Sequence, residues 1–271
     1  MKRISVAFLL SSAVFLADAD QELSLNWSNN LLTISSASLP GGKLDILYLE
    51  AFCRKASTQR EWGKTVLRHK TRLLSSDPRE LRFQTQIGTD SQMLHEVRAG
   101  ADNIDFQFTL QNGGQEALDL EWFQPACIRV DRFTGLGQSN YILRSFIFTK
   151  KGLTTLDKTA RREEGFYRGG QVYVPKGINL TDVNPRPICR DQPVNGLIGC
   201  FSGDSKQLLA TASDSTHELF EGVFVCLHSD PHVGGLAPGE TKKIHSKIYI
   251  LKNDPEALLK RYYTDFPDDG H

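Results

Sequence analysis

The sequence predicts an all-β fold, a large antiparallel β-sandwich with a short C-terminal helix. Three observations predict it. Hydrophobic residues recur with a period of two in most segments, turn residues separate those segments at short intervals, and helical periodicity is confined to the C-terminal end.

In chain order, the alternating runs are ELSLNW, NLLTISSA, KLDILYLEAFC, ELRFQTQIG, NIDFQFTLQN, LDLEWF and CIRVDRF. They continue with YILRSFIF, GLIGCF, QLLATAS, GVFVCL and KKIHSKIYIL. Pro40-Gly41-Gly42, Gly113-Gly114, Ser202-Gly203-Asp204 and Pro238-Gly239 supply turns between them. A dozen strands with few intervening helices describe a sandwich or barrel and not a βαβ fold. Two segments break the pattern. Residues 154–165, TTLDKTARREEG, suit a short polar helix. They lie in a Gly-, Pro- and Arg-rich stretch, 150–196, whose aromatics favour an ordered loop packed on the sheet. In NDPEALLKRYYTDF, Asp254 suits a helix N-cap and Pro255 the first helical position. Leu258, Leu259, Tyr262, Tyr263 and Phe266 then fall on one helical face.

The N-terminus reads MKRISVAFLLSSAVFLADAD. Lys2 and Arg3 precede an apolar run too short to cross a bilayer, and Ala17-Asp18-Ala19 is a cleavage signature. We expect residues 1–19 to be a secretory signal peptide and residues 20–271 to be a single sandwich domain, secreted or periplasmic, without a membrane span. The chain carries 32 basic and 32 acidic residues and no basic stripe, which argues against nucleic acid as a partner. Five cysteines leave at least one thiol unpaired within the chain. Most sit in apolar runs, so small core residues are expected in preference to a disulfide framework. No nucleophile elbow, P-loop, dinucleotide fingerprint or H-E-x-x-H occurs, so no cofactor is expected.

Candidate chemistry comes from side-chain direction. Alternation puts Cys127, Arg129 and Asp131 on one face of their strand, and Phe224, Cys226, His228 and Asp230 on one face of another. A third strand aligns Tyr48, Glu50, Phe52 and Arg54. If the three faces line one hollow, it holds an imidazole, carboxylates, guanidiniums and aromatic platforms. That mixture suits a carbohydrate, whose hydroxyls take bidentate hydrogen bonds and whose C–H faces stack on rings. His228 is the expected acid/base, with Asp131, Asp230 or Glu50 as its carboxylate partner. Arg54, Arg129, Tyr48, Trp122, Tyr167 and Arg168 are the expected substrate-binding residues. The competing reading is that these charges are ordinary solvated cross-strand pairs. A metal site would ask His228, Asp230 and His232 to converge on one ion. Pro231 and Gly234-Gly235 argue against that, and no metal is expected.

The segments YLEAFCR, WFQPACIRVDRFTG, GGQVYVPKG, DVNPRPI and HSDPHVGGLAPGE resemble a group of exported proteins of planctomycete-type bacteria. The layout of strands, the Pro-Gly turn into the last long strand and the terminal helix are similar to the galactose mutarotase-like β-supersandwich. That resemblance implies a carbohydrate ligand on the concave sheet and a histidine acid with a carboxylate base. The expected function is carbohydrate binding or processing, by lyase- or epimerase-type proton transfer on a sugar. The alternative is a non-catalytic glycan-binding or structural envelope module.

Overall fold

A computed structural model describes residues 22–138, 140–166 and 168–270. The expected signal peptide and Tyr167 lie outside the described residues. The first half of the chain forms β1 (Ser24–Ser28), β2 (Leu31–Ser35), β3 (Lys43–Cys53), β4 (His69–Asp77), β5 (Glu80–Ile87), β6 (Ser91–Ala99), β7 (Asn103–Asn112) and β8 (Trp122–Arg129). The second half forms β9 (Ser145–Thr149), β10 (Gly152–Thr155), β11 (Gly170–Tyr173), β12 (Ile198–Phe201), β13 (Gln207–Ser213), β14 (Thr216–Gly222), β15 (Cys226–Pro231) and β16 (Thr241–Lys252). Helices are few: α1 (Trp62–Thr65), α2 (Asp131–Thr134) and α3 (Pro255–Asp265).

The strands make two antiparallel sheets. One has seven strands, in the order β1-β2-β3-β8-β15-β14-β11. The other has nine, in the order β10-β9-β12-β13-β16-β7-β6-β5-β4. The expected sandwich is therefore present. Period two explains its interior. β7 buries Ile104, Phe106, Phe108 and Leu110, while the residues between them are exposed or half-buried. These side chains meet Leu32, Ile34, Ile46, Phe52 and Phe123 from the seven-stranded sheet in one core. Phe108 sits edge-on to Phe123 at 5.2 Å, and Phe52 stacks on Phe123 at 5.5 Å. Burying each such ring stabilises the fold by about 1.5–3 kcal/mol.

Each sheet is also covered over part of its outer face, for different reasons. Asp254 caps α3 by accepting hydrogen bonds from the backbone N–H groups of Glu256 and Ala257. The helix then sets Leu258 and Tyr262, followed by Phe266, against Phe146, Leu208 and Tyr249 of the nine-stranded sheet. Tyr263, expected on that face, is instead exposed and edge-on to Tyr262. On the seven-stranded sheet the stretch after β10 provides the cover. The expected polar helix over 154–165 does not form; β10 runs into 3-10 turns at Leu156–Lys158 and Glu163–Phe166. The segment has one apolar anchor, Leu156, and one buried ion pair, Arg161 with Glu221 of β14. Two anchors of that kind do not make the apolar stripe that a helix needs. Beyond β11, Val174, Val183, Ile178 and Ile188 close over Phe220 and Val172. β8 and β15 are consequently buried on both faces almost throughout.

All five cysteines are buried and free, as expected of small core residues. Among the described residues, no helix is long and apolar enough to cross a membrane.

Candidate functional site

The covered outer face of the seven-stranded sheet carries a half-open cavity of about 200 Å³. β15 contributes Cys226 and His228 to its lining, β8 contributes Gln124, Cys127 and Arg129, and β3 contributes Leu47 and Glu50. Trp62 of α1 and Phe220 and Phe224 add aromatic walls. The covering loop adds Asn184 and Arg186.

Alternation places His228 and Cys226 here as the sequence predicts. Neighbouring Leu227 points into the core between the sheets. Arg129 reaches the cavity mouth, where its guanidinium donates to the Phe224 carbonyl and lies 5.5 Å from that residue's ring. Glu50 arrives by another route. Tyr48 and Phe52, two residues to either side of it, both face the core, so strict alternation would bury Glu50 with them. Leu49 adopts φ 57° at a register shift between β3 and β8, tucks inward, and turns Glu50 outward.

Several expected site residues lie elsewhere. Tyr48 is a core residue whose hydroxyl contacts His95 Nδ1 at 2.6 Å. Asp131 is exposed on α2, because β8 ends at Arg129 and Val130 leaves the extended region. Arg54 lies past the end of β3 and faces Asp119 at 3.9 Å, away from the cavity. Trp122 points to the outer face but lies further along the sheet, fully buried, donating to Ser57 Oγ at 3.3 Å. Arg168 is exposed and does not line the cavity. Sequence reasoning missed Gln124, Asn184, Trp62 and Arg186. A weak signal existed for Arg186. Gly169 has φ +91°, and a Cβ there would come within 2.9 Å of the Arg186 guanidinium carbon. The bare backbone at Gly169 leaves space for that side chain.

Behind His228 lies a buried charge cluster. His228 Nδ1 is 3.7 Å from Asp230 Oδ1, and its Nε2 is 3.5 Å from Cys226 Sγ. Gln124 donates to Asp230 Oδ2 at 3.2 Å. Asp230 pairs across the strands with Glu218, which accepts the Asn184 backbone N–H at 2.8 Å. Sequence reasoning missed Glu218 as well. Burial raises the Glu218 carboxyl well above the carboxylate range, and the charge of Asp230 adds to it. Burial also raises Asp230, against the opposing pull of His228 and Gln124. For His228, burial disfavours the charged ring, but Cys127 and Asp230 outweigh it, and its pKa is raised well above that of ordinary imidazole. The Cys127 thiol is itself pushed far up, by its hydrogen bond to Cys226 and by burial. Cys127 therefore stays protonated, and the Asp230 carboxylate is what retains the proton on His228.

This arrangement has a pH signature. Because the folded state holds a proton on Glu218 above its ordinary pKa, its contribution to stability falls as pH climbs through that raised value. Glu218→Gln keeps an acceptor for Asn184 and removes the titrating carboxyl. The variant is expected to match the parent near pH 4 and to exceed it by about 1 kcal/mol at pH 8. Urea unfolding at the two pH values checks this; equal or lower stability at pH 8 refutes it.

The His228-x-Asp230-x-His232 motif does not converge on one ion. His228 and His232 stand four residues apart, roughly 13 Å along an extended backbone, and among the described residues they belong to different groups of candidate ligands. His232 joins a different group. Its Nε2 is 3.0 Å from Glu121 Oε1, and its ring stacks on His217 at 5.4 Å. His217 in turn stacks on Trp122 at 5.7 Å. Burial, aided by His232, lowers the His217 pKa to about 4, so its ring is neutral at physiological pH.

No protein-family model matches the chain, and no curated protein does. Solved structures do show similarity. One is a galactose mutarotase-like protein from Lactobacillus casei ATCC 334, at 8% identity and a TM-score of 0.44, covering 84% of this chain and 99% of that one. A galactose mutarotase related enzyme from Lactobacillus acidophilus has 8% identity and a TM-score of 0.44, covering 84% and 97% of the two chains. A polysaccharide lyase has 9% identity and a TM-score of 0.42, covering 88% of this chain and 34% of its own.

Proposed function

We propose that this protein is an exported carbohydrate-processing enzyme that moves a proton at a sugar carbon or anomeric centre in the cavity beneath residues 184–186. The observation that carries this reading is the meeting of Glu50, His228, Arg129 and Arg186 around one half-open cavity with aromatic walls. At about 200 Å³ the cavity is small for a ligand pocket, which limits it to one sugar ring at a time. Trp62 and Phe224 offer rings to its C–H faces, and the two guanidiniums offer forked donors to hydroxyl or carboxylate oxygens. Glu50 is the solvent-reached carboxylate that accepts the proton. His228, kept protonated over Asp230, is the acid that supplies one. Epimerase-type and lyase-type chemistry both need this pair. At an anomeric centre the base takes the hydroxyl proton while the acid protonates the ring oxygen as the ring opens. In a lyase the base takes the proton from the carbon beside a carboxylate while the acid protonates the departing glycosidic oxygen.

The test is a panel of aldoses and uronate-containing oligosaccharides, followed by NMR for anomeric exchange and by ultraviolet absorbance for unsaturated uronates. Turnover of one class supports the proposal and names the reaction. If a sugar binds without turnover and His228→Ala binds it equally well, the protein is a binding module instead. If no sugar binds or turns over, the carbohydrate reading falls.

A further inference from the structure

Outside the cavity, a second cluster has no part in the chemistry above. Glu121, His217 and His232 bring one ligand atom each to within 4.8 Å of one another. They come from three neighbouring elements of the seven-stranded sheet: the residue before β8, β14, and the residue after β15. Their backbones are tied together. Val233 N–H and Gly234 N–H donate to the Glu121 carbonyl at 2.7 and 3.1 Å, and His232 N–H donates to the Ser215 carbonyl at 2.8 Å.

His217 is placed by a fault in the ladder. The β14–β15 register shifts between Thr216 and Glu218, so His217 is the extra residue of a bulge. A regular strand would point it opposite to Glu218. The bulge re-aims it onto the outer face, between Trp122 and His232. Its Nε2 lies 3.3 Å from the Asp182 carbonyl, and a carbonyl can only accept, so the ring proton belongs on Nε2. That leaves a lone pair on Nδ1. The side chain is 1% exposed, and Nδ1 has no hydrogen-bond partner among the described residues. Glu121 Oε2 is likewise buried without one, its nearest cation being Lys55 Nζ at 3.6 Å. A fixed tautomer, with the outer nitrogen bonded to a carbonyl and the inner lone pair free, is how proteins prepare a histidine for a metal.

We propose that Glu121, His217 and His232 form a binding site for a divalent transition metal, with Zn²⁺ the best fit to two imidazoles and a carboxylate. Zinc bonds of about 2.0–2.2 Å place tetrahedral ligands roughly 3.3 Å apart. Rotation of the half-exposed His232 ring achieves that contraction. Lys55, which is exposed, swings away from Glu121. His232 faces the open groove lined by Ser215, Thr216 and Asn195, so the fourth position is open to water.

The experiment uses the full mature chain, stripped with chelator and reloaded with Zn²⁺ alone. Bound metal is measured by elemental analysis after desalting, and affinity by calorimetry. The parent is expected to retain one zinc per chain. His232→Ala and Glu121→Gln are expected to weaken binding at least roughly ten-fold. Cys226→Ala, which removes a member of the separate Cys127, Cys226 and His228 group, is expected to bind like the parent. Co²⁺ in place of Zn²⁺ should give the visible absorption of a low-coordinate site, and His232→Ala should lose it. His232 is half-exposed, so its metal-free variant should melt with the metal-free parent. No stoichiometric zinc in the parent overturns the proposal. So does zinc that survives His232→Ala but is lost in Cys226→Ala, because the ion then sits in the cavity. Sugar turnover is read separately, so the two proposals fail independently.

Discussion

His228→Ala is expected to lower sugar turnover by about 10²–10⁴-fold while leaving sugar affinity within a few-fold of the parent. Loss of a positioned proton donor acts on the transition state, and Arg129 and Arg186, the proposed substrate-holding residues, still line the cavity. The ring is 1% exposed, so its removal also leaves Asp230 buried without its cation. His228→Gln keeps most of the volume and separates chemistry from folding; it should lose turnover to the same degree and melt closer to the parent. The pH dependence of stability has a definite sign. The folded pKa of His228 lies above the unfolded value of 6.5. Its stabilising contribution is therefore full below about pH 6.5 and fades as pH rises through the raised value. The stability gap between parent and His228→Gln should narrow from pH 6 towards alkaline pH. Unchanged turnover in both variants would remove His228 from the mechanism.

Trp122→Ala is expected to cost about 3–5 kcal/mol, the cost of deleting a large, fully buried aromatic. For a chain of this size that corresponds to a fall in melting temperature of roughly 10 °C. The indole packs with Ala51, Cys53 and Val66 and stacks on His217, and none of these lines the cavity proposed to take the sugar. At a temperature where the variant is folded, sugar affinity should stay within about two-fold of the parent. This separates a packing residue from a stacking platform. Lost sugar affinity in a folded variant would return Trp122 to the substrate site.

The candidate site was legible where a strand is regular. Period two put Cys127 and Arg129 on one face, and Cys226 and His228 on another, and all four line the cavity. It failed where the ladder is irregular. Glu50 reaches the cavity only because Leu49 takes a positive φ, and His217 faces outward only because of a bulge. Neither residue type nor spacing signals such a fault, which is settled by pairing with the neighbouring strand. Asp131 was misplaced because alternation was extended two residues past the true end of β8. Tyr48 and Trp122 look like platforms in one dimension, and both are packing residues.

By itself, the sequence determined the sheet architecture, the capped terminal helix, the buried thiols and the direction of His228, because each follows from residue type and local periodicity. Only the tertiary structure decided which segment would roof the seven-stranded sheet, that Arg186 and Asn184 would come from that roof, that Glu218 would lie opposite Asp230, and that His232 would leave His228 for Glu121 and His217. Those outcomes depend on contacts between residues far apart in the chain. Sequence spacing measures distance along one strand, whereas the chemistry depends on distance across the sheet and beneath its cover.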